Sequence, residues 1–412
     1  MLIQFSFSNY KSFKEEAFLD LVAEPIKENE KSLIVDKSDG ERFLPVIAIY
    51  GPNGGGKSTV LEALSYLRTL VLHPVLLSQM KDKEEYNAII KPNRGITFKE
   101  KYHKFDLACQ QQPTFFDIMF RTEGKQYRYQ FARLGNEIVE ENLYQMIIGE
   151  SDANIIFERS AEECLLGEEL EGIAVEKLKN SMPLLSHAAI NYDIPSVDDV
   201  IHWFLDICFV DYDSPQKEYR IILPNTKKDR NKIFEILQKM DIHISDFRIE
   251  KDSDGNIENI YTKHSFENGM MFELPFEEES AGTRKLFSCL AEILHCLNEG
   301  RVLVADELDA KLHPKLLRYI IELFTDPKSN KHGAQLLLTS HDITTMTSEI
   351  YRKDEIWFCA LNPYQASKLY SLVSFKNEKE QDLQKNEAYG KQYIEGRYGA
   401  DPYIRKILDW ED

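Results

Sequence analysis

The sequence has few cysteines, and none of them has the spacing of a metal or redox motif. The six cysteines are scattered along 412 residues without a C-x-x-C pair. This pattern argues against a zinc site and against the disulfide framework of a small secreted domain. We therefore expect all six to be reduced thiols with a structural role.

Long apolar runs are missing as well. No stretch of about 18 uncharged apolar residues occurs, as a membrane-spanning helix would need. The N-terminal segment also lacks a basic region followed by an apolar stretch and a small-residue cleavage site. These two absences predict a cytoplasmic protein that has no membrane partner.

The sequence also has no excess of positive charge. Lysine and arginine total 50 against 69 aspartates and glutamates, which gives a formal net charge of −19. A surface that neutralises many phosphates, as non-specific DNA binders have, is therefore not expected. Local basic clusters occur at 99–104 and 225–232, so nucleic acid is a possible partner that the total charge does not indicate.

The sequence does contain a glycine-rich loop, GPNGGGKST, at 51–59. The apolar segment before it is typical of a strand buried on both faces, and the segment after it has helical spacing. This context supports the pattern G-x-x-x-x-G-K-[ST], which Gly51, Gly56, Lys57 and Ser58 match. The alternative is a glycine-rich turn with an accidental lysine, and the flanking strand and helix argue against it.

Such a loop directs backbone N–H groups and the positive end of a helix at a polyphosphate. We predict a site for ATP and Mg²⁺, in which Lys57 bridges the β- and γ-phosphates and Ser58 gives its hydroxyl to the metal. Further nucleotide contacts are predicted for Asn53, Gly54, Gly55, Gly56 and Thr59.

A second apolar strand, Val302 to Ala305, is followed by two acidic residues. Asp306 is placed to hold Mg²⁺ through water, and Glu307 can orient and deprotonate an attacking water. Paired acids at a strand end can also cap the next helix, which is the alternative. With the glycine-rich loop, the pair predicts an ATPase.

A third apolar strand precedes His341, and Asp342 is expected to open the next helix. A histidine at this edge can hydrogen-bond the γ-phosphate. We predict that His341 takes part in catalysis with Lys57 and Glu307.

The segment ESAGTRKLF at 279–287 opens an amphipathic helix that Gly300 closes. Ser280 and Gly282 thus lie at a helix N-terminus, where a hydroxyl and free N–H groups can bind an anion. A helix N-cap explains the serine equally well.

The order of these motifs resembles that of the ABC ATPase superfamily, in its SMC and RecF-like branch. The opening FSFSNYKSFKEE is similar to the strand pair with which those proteins begin, which implies that Asn9, Lys11 and Ser12 lie close to the nucleotide. More narrowly, the chain resembles the RloA and AbiL group, the stand-alone AAA ATPase family numbered fifteen. The segments that carry this resemblance are ESAGTRKLF, ADELDAKLHPKLL, QLLLTSHD and YIEGRYGADPY.

This resemblance implies a nucleotide sandwich between two copies of the chain. Ser280 and Gly282 of one copy would cover the nucleotide held by the other, and Asp309 would lie in the loop that crosses the dimer seam. A homodimer or a larger homo-oligomer follows from this arrangement. In this superfamily a glutamine usually couples Mg²⁺ to the accessory lobe. Gln110, Gln111 and Gln112 are candidates for it, but the segment 184–193 lies where the corresponding loop is usual and contains no glutamine, so this role stays unassigned.

The resemblance also implies a role in bacterial anti-phage defence. The chain would sense a trigger and control a separate toxic effector, a nuclease encoded nearby. The alternative is a RecF-like DNA-repair ATPase that clamps DNA in an ATP-dependent dimer.

The predicted fold class is α/β, an ABC/SMC-like P-loop ATPase head with an antiparallel β layer and a compact helical insertion. Residues 1–156 would form the N-terminal part of the head, which includes the alternating segment 105–150. Residues 157–245 read as the helical insertion, without the persistent heptads of a coiled coil. Residues 246–412 would form the C-terminal part, with the signature segment, the acidic strand and His341.

Overall fold

The computed structural model describes residues 1–79, 101–150, 152–175, 178–210, 227–239, 242–251, 253, 257–265, 269–375 and 389–400. The helices of this part are α1 (Lys57–Gln79), α2 (Leu184–Asn191), α3 (Pro195–Leu205), α4 (Lys227–Lys239), α5 (Ala281–Glu299), α6 (Pro314–Thr325) and α7 (Tyr389–Ile394).

The first ten strands are β1 (Leu2–Ser8), β2 (Ala17–Asp20), β3 (Ile34–Val35), β4 (Arg42–Phe43), β5 (Val46–Tyr50), β6 (Thr114–Thr122), β7 (Lys125–Leu134), β8 (Glu137–Ile147), β9 (Ala153–Ser160) and β10 (Cys164–Leu166). The others are β11 (Cys208–Val210), β12 (Ile244–Lys251), β13 (Ile257–Ser265), β14 (Met271–Pro275), β15 (Val302–Ala305), β16 (Gln335–Thr339), β17 (Ile356–Leu361) and β18 (Ser367–Ser371).

A six-stranded sheet in the order β11-β15-β16-β5-β17-β18 forms the centre of the fold. Its strands pair in parallel from β11 to β17, and β18 is antiparallel to β17. Every residue of β5, β15 and β16 is buried, as expected for strands of a sheet that is covered on both faces. The apolar segments at 46–50 and 302–305 are therefore strands, as their composition predicts.

Alternate residues of these strands face two different cores. Ile47 and Ile49 of β5 pack in one cluster with α1, α2, α3 and the inner side of a large antiparallel sheet. Ala48 and Tyr50 pack in the other cluster with α4, α5 and α6. The period of two along a strand thus places one layer of structure on each face of the sheet.

The antiparallel sheet has seven strands in the order β10-β9-β8-β7-β6-β1-β2. The alternation of apolar and polar residues predicts the strands of the segment 105–150, and β6, β7 and β8 confirm it. Glu123 and Gly124 form the turn between β6 and β7, with φ of 47° and 72°, values typical of a two-residue hairpin turn.

The segment predicted as a helical insertion, 157–245, is more closely joined to the head than expected. The boundary at 156 falls inside β9, and the boundary at 245 falls inside β12. Strand β11 pairs with β15 as an edge strand of the central sheet. The apolar residues of α2 and α3 belong to the same core as α1. These helices therefore cover the head instead of forming a lobe of their own.

Within the described part of the chain, one helix is long and apolar enough to cross a membrane. It is α1, and 61% of its most apolar window is buried inside the protein. Because this burial is against the strands of the first core, α1 has the character of a core helix.

Candidate nucleotide-binding site

The loop 51–59 connects β5 to α1, and its glycines are required by close packing. A side chain at Gly51 would place Cβ 2.2 Å from the carbonyl oxygen of Cys359. At Gly56, φ is +107° and a Cβ would lie 2.6 Å from Oγ of Ser367. Only glycine fits at either position without a shift of the surroundings. The loop therefore packs against β17 and β18. These strands lie on one side of β5 in the sheet, and β16 lies on the other side.

The predicted contact residues of this loop differ in exposure. Asn53 and Gly54 are exposed, Gly55 is buried, and Gly56 and Thr59 are partly buried. The exposed tip and the start of α1 together leave backbone N–H groups for an anion, as the glycine-rich pattern predicts.

Lys57, the first residue of α1, lies across the mouth of the loop. Its side chain is buried, and Nζ donates hydrogen bonds to the carbonyl oxygens of Gly51 (3.0 Å) and Pro52 (3.2 Å). Burial lowers the pKa of the Lys57 amine, and the nearby carboxylates oppose this effect. Because both acceptors are neutral, a bound phosphate would be a better partner for the ammonium. The arrangement fits a polyphosphate site.

Ser58 and Asp306 meet at the ends of neighbouring elements. Oγ of Ser58 donates a hydrogen bond to Oδ1 of Asp306 across 3.0 Å, although 248 residues separate them in sequence. The hydroxyl of Thr339, at the end of β16, donates to the same carboxylate oxygen. A serine hydroxyl and a carboxylate are ligands that suit Mg²⁺. The donor set therefore fits the metal that the sequence predicts.

Glu307 has a backbone conformation that is unusual for its residue type. Its φ is +48°, in the left-handed region, and its side chain is exposed. Its N–H donates to Oγ1 of Thr339 (2.7 Å), and its carbonyl accepts from Nζ of Lys285 (3.0 Å). A non-glycine residue in this region costs about 1–3 kcal/mol and often marks a functional site.

Two residues that hold Glu307 were not assigned a role from the sequence. Thr339 bridges the Asp306 carboxylate and the Glu307 backbone. Lys285 is 1% exposed, and its Nζ also donates to the carbonyl oxygen of Ala310 at 2.6 Å. A polar residue at the end of the strand before His341 was the available signal for Thr339. Lys285 has no such signal, because its contacts depend on the packing of α5.

His341 and Asp309 are brought together by the loops after β15 and β16. The N–H of His341 donates to Oδ2 of Asp309 (2.9 Å), and the imidazole is exposed. Asp309 Oδ1 is buried without a hydrogen-bond partner among the described residues. The helix predicted to open at Asp342 was wrong. Asp342 instead accepts hydrogen bonds from Thr344 in a local turn, which competes with helix formation.

Ser280 is the N-cap of α5. Its Oγ accepts a hydrogen bond from the N–H of Thr283 (3.0 Å), and the residue is exposed. Gly282 lies beside the loop after β15, since a Cβ there would be 3.0 Å from the carbonyl oxygen of Lys311. The capping interpretation of Ser280 is thus correct within one chain. The exposed N-terminus remains able to meet an anion from outside.

Asn9 and Lys11 have protein partners in this structure, and their contact with the nucleotide stays a prediction. The Asn9 side chain is 3% exposed and donates to the carbonyl oxygens of Cys109 (2.8 Å) and Gln112 (2.9 Å). Its Oδ1 accepts from the N–H of His103 (3.0 Å). Because its amide is fully engaged, Asn9 positions this loop. Lys11 forms a short ion pair with Glu62 of α1.

The structure describes both regions that were considered for the glutamine that couples Mg²⁺ to the accessory lobe. Gln110 and Gln111 lie in a 3₁₀ turn at Leu107–Gln111, which Asn9 fastens through Cys109 and Gln112. The segment 184–193 contains α2, whose buried residues pack in the core with α1. Neither placement selects a residue for the role, so it stays unassigned.

The fold and the site together define a P-loop NTPase domain, in which the phosphate-binding loop and the acidic strand belong to one parallel sheet. A family model described as "AAA domain, putative AbiEii toxin, Type IV TA system" matches residues 46–347, well over half of the chain. The chain belongs to this family. The narrower resemblance to the RloA and AbiL group stays a prediction. No curated protein matches the sequence.

Solved structures of SMC heads are similar to the chain. An SMC head bound to the C-winged helix domain of ScpA has a TM-score of 0.48 and 14% identity, and the match covers 92% of this chain and 99% of that one. The SMC head of Thermotoga maritima has a TM-score of 0.42 and 12% identity, with coverage of 90% and 98%. An Smc head with an extended coiled coil, bound to the C-terminal domain of ScpA derived from Pyrococcus furiosus, gives 0.42 and 12%, with coverage of 90% and 96%.

Proposed function

We propose that this chain is an Mg²⁺-dependent ATPase that works as a switch, closing on ATP as a homodimer or larger homo-oligomer and opening on hydrolysis. The observation that carries the proposal is the 3.0 Å contact between Ser58 and Asp306. It joins the phosphate-binding loop and the acidic strand into one site. A loop that only binds phosphate would not need a carboxylate at this place.

The residues of the chain have separate tasks in this reaction. Lys57 exchanges its two carbonyl acceptors for phosphate oxygens, which are stronger partners of an ammonium group. Ser58 and Asp306 would hold a metal ion, which would supply positive charge near the phosphates. Glu307 accepts a proton from the attacking water, and Thr339 keeps its backbone in place.

The dimer supplies the remaining contacts. Each copy has an exposed phosphate-binding loop and an exposed helix N-terminus at Ser280. In a head-to-tail pair, the N-terminus of α5 of one copy would approach the γ-phosphate that the other copy holds. Asp309 lies in the loop after β15, and His341 lies in the loop after β16. The backbone N–H of His341 donates to the Asp309 carboxylate, and this pair would sense the closed state.

We further propose a role in bacterial anti-phage defence. The family description names a toxin and a type IV toxin–antitoxin system, and the sequence resembles the RloA and AbiL group. The chain would work in the cytoplasm, respond to a phage trigger and control a separate effector, which we propose is a nuclease encoded nearby.

An infection assay with matched variants tests this role. Cells that carry the chain with its neighbouring genes are challenged with a phage panel and compared with cells that carry Glu307→Gln or Glu162→Gln. Glu162 is an exposed glutamate in the turn after β9, outside the site, so its variant should protect as the wild type does. Glu307→Gln should lose protection while the protein level is unchanged.

Equal protection by both variants, or none by the wild type against any phage, would contradict the defence role. A phosphate-release assay on the same purified proteins separates that result from a failure of the ATPase itself. Binding of duplex DNA that requires ATP and weakens steeply with salt would instead favour the DNA-clamp alternative.

A further inference from the structure

Three side chains with the chemistry of metal ligands meet at the edge of the central sheet, in a place that the ATPase site does not use. Cys208 begins β11, and Glu292 and Cys296 lie one turn apart on α5. One ligand atom from each residue lies within 4.8 Å of the other two. Cys296 is fully buried and Glu292 is 7% exposed.

Glu292 has an unsatisfied oxygen inside the protein. Its Oε2 is buried and has no hydrogen-bond partner among the described residues. Leaving a buried charged acceptor without a partner costs more than the about 1–3 kcal/mol of a neutral one, and buried charges are usually paired or bound to a metal. The carboxylate therefore indicates a missing positive partner at this point.

The spacing of the three ligand atoms suits one small ion. Sulfur and oxygen ligands lie about 2.0–2.3 Å from Zn²⁺ in a tetrahedral arrangement, so two ligand atoms of one ion are about 3.3–3.8 Å apart. The three ligand atoms of the cluster lie within 4.8 Å of one another, so a closing movement of about 1 Å brings them to this spacing. A disulfide between Cys208 and Cys296 would instead bring the sulfurs to about 2.05 Å and leave the carboxylate unsatisfied.

The chemistry of the ligands selects the class of cation. Thiolates are soft ligands that suit zinc and similar ions, whereas Mg²⁺ and Ca²⁺ prefer oxygen. Two thiolates and a carboxylate around a divalent ion leave one negative charge.

We propose that Cys208, Glu292 and Cys296 form a binding site for a thiophilic divalent cation such as Zn²⁺, with the fourth position open to water. The ion fastens the C-terminal half of α5 to the edge strand β11. Ser280 lies 16 residues before Cys296 on the same helix, about 24 Å away at ~1.5 Å per residue. The ion thus fixes the C-terminal half of the helix whose N-terminus is proposed to meet ATP.

Metal analysis of the full chain tests the site. The protein is purified without a histidine tag under reducing conditions, loaded with Zn²⁺ or Co²⁺, and freed of excess metal. We expect about one Zn²⁺ per chain and, with Co²⁺, the near-ultraviolet charge-transfer absorption of thiolate ligands. Cys208→Ser and Glu292→Gln should weaken binding by at least the ~10–100-fold that loss of an outer-shell partner costs.

Two cysteines serve as matched controls. Cys164 is exposed, and Cys289 is buried on the same helix but outside the cluster. Cys164→Ser and Cys289→Ser should bind metal as the wild type does. If a cluster variant does not fold, the Co²⁺ spectrum of the wild-type chain decides, since two thiolates must appear in it. Metal binding that Cys208→Ser leaves unchanged, a Co²⁺ spectrum without thiolate absorption, or a native Cys208–Cys296 disulfide would overturn the proposal.

Discussion

Two helix N-termini of this chain are suited to anions, and they are built differently. The N-terminus of α1 follows a loop in which Gly51 and Gly56 admit no side chain, and Lys57 is buried across its mouth. The N-terminus of α5 is exposed, and Ser280 already caps its own helix. The first N-terminus is enclosed by a glycine-rich loop, while Lys285 near the second donates to the carbonyl oxygens of Glu307 and Ala310 of its own chain.

The difference teaches which half of the site depends on another molecule. A helix N-terminus attracts an anion mainly within its first turn, and solvent weakens that attraction. The exposed tip of α5 therefore gains strength only when a second surface excludes water around the anion. This is the physical reason to expect ATP to be held by α1 alone and then covered by α5 of another copy.

The largest expected effect comes from breaking the first N-terminus. Lys57→Ala removes the buried cation of the cradle, and the rate of ATP hydrolysis should fall by about 10²–10³-fold or more, as for loss of one preorganised electrostatic group. Phosphate release and binding of a fluorescent ATP analogue measure this. Lys315→Ala, at an exposed position of α6, is the control and should not change either value. Normal binding by Lys57→Ala would show that the cradle is not the nucleotide site.

The link between the two N-termini is the second target. Lys285 of α5 donates to the carbonyls of Glu307 and Ala310, so it joins α5 to the turn that contains Glu307. Lys285→Met leaves buried carbonyls without these donors, at a cost of about 1–3 kcal/mol in folding stability. Hydrolysis should fall while ATP affinity stays unchanged, because the cradle is untouched. Thermal unfolding and kinetics separate the two effects, and an unchanged turnover rate would contradict the linkage.

The smallest change in stability, and the sharpest comparison, comes from two substitutions at Ser280. Ser280→Ala removes an N-cap, which costs about 1 kcal/mol. Ser280→Asp keeps a capping oxygen but adds a negative charge where a phosphate is expected. The alanine variant should be less stable but assemble with ATP, whereas the aspartate variant should be stable and fail to assemble. Light scattering with and without ATP measures assembly, and equal assembly by both variants would exclude a phosphate at Ser280.

The parts of the site that could be predicted from the sequence are those encoded in one short segment. The loop 51–59 and the strand Val302–Ala305 are each one continuous piece of sequence. The apolar residues in and beside them predict the buried parallel strands that the structure contains. Contacts between distant segments could not be predicted. Thr339 reaches Asp306 only because β16 lies beside β15.

The same reason explains other contacts that the sequence did not reveal. The partners of the Asn9 amide lie in the loop 103–112, far from Asn9 along the chain. The three-residue strand Cys208–Val210 was hidden in a segment with a helical pattern, since so short a strand has no period of its own. The pairing of this strand with β15 brings Cys208 close to Cys296. The cysteine spacing, which has no C-x-x-C pair, gave no sign of this contact.

The most direct test of a site shared between two copies is a mixture of two inactive variants. Lys57→Ala retains an intact Ser280, and Ser280→Asp retains an intact cradle. In a mixed dimer, one of the two sites would contain both unaltered parts. We predict that phosphate release reappears when the two purified variants are mixed and rises with the share of mixed dimers. A mixture that stays as inactive as either variant alone would contradict the shared site.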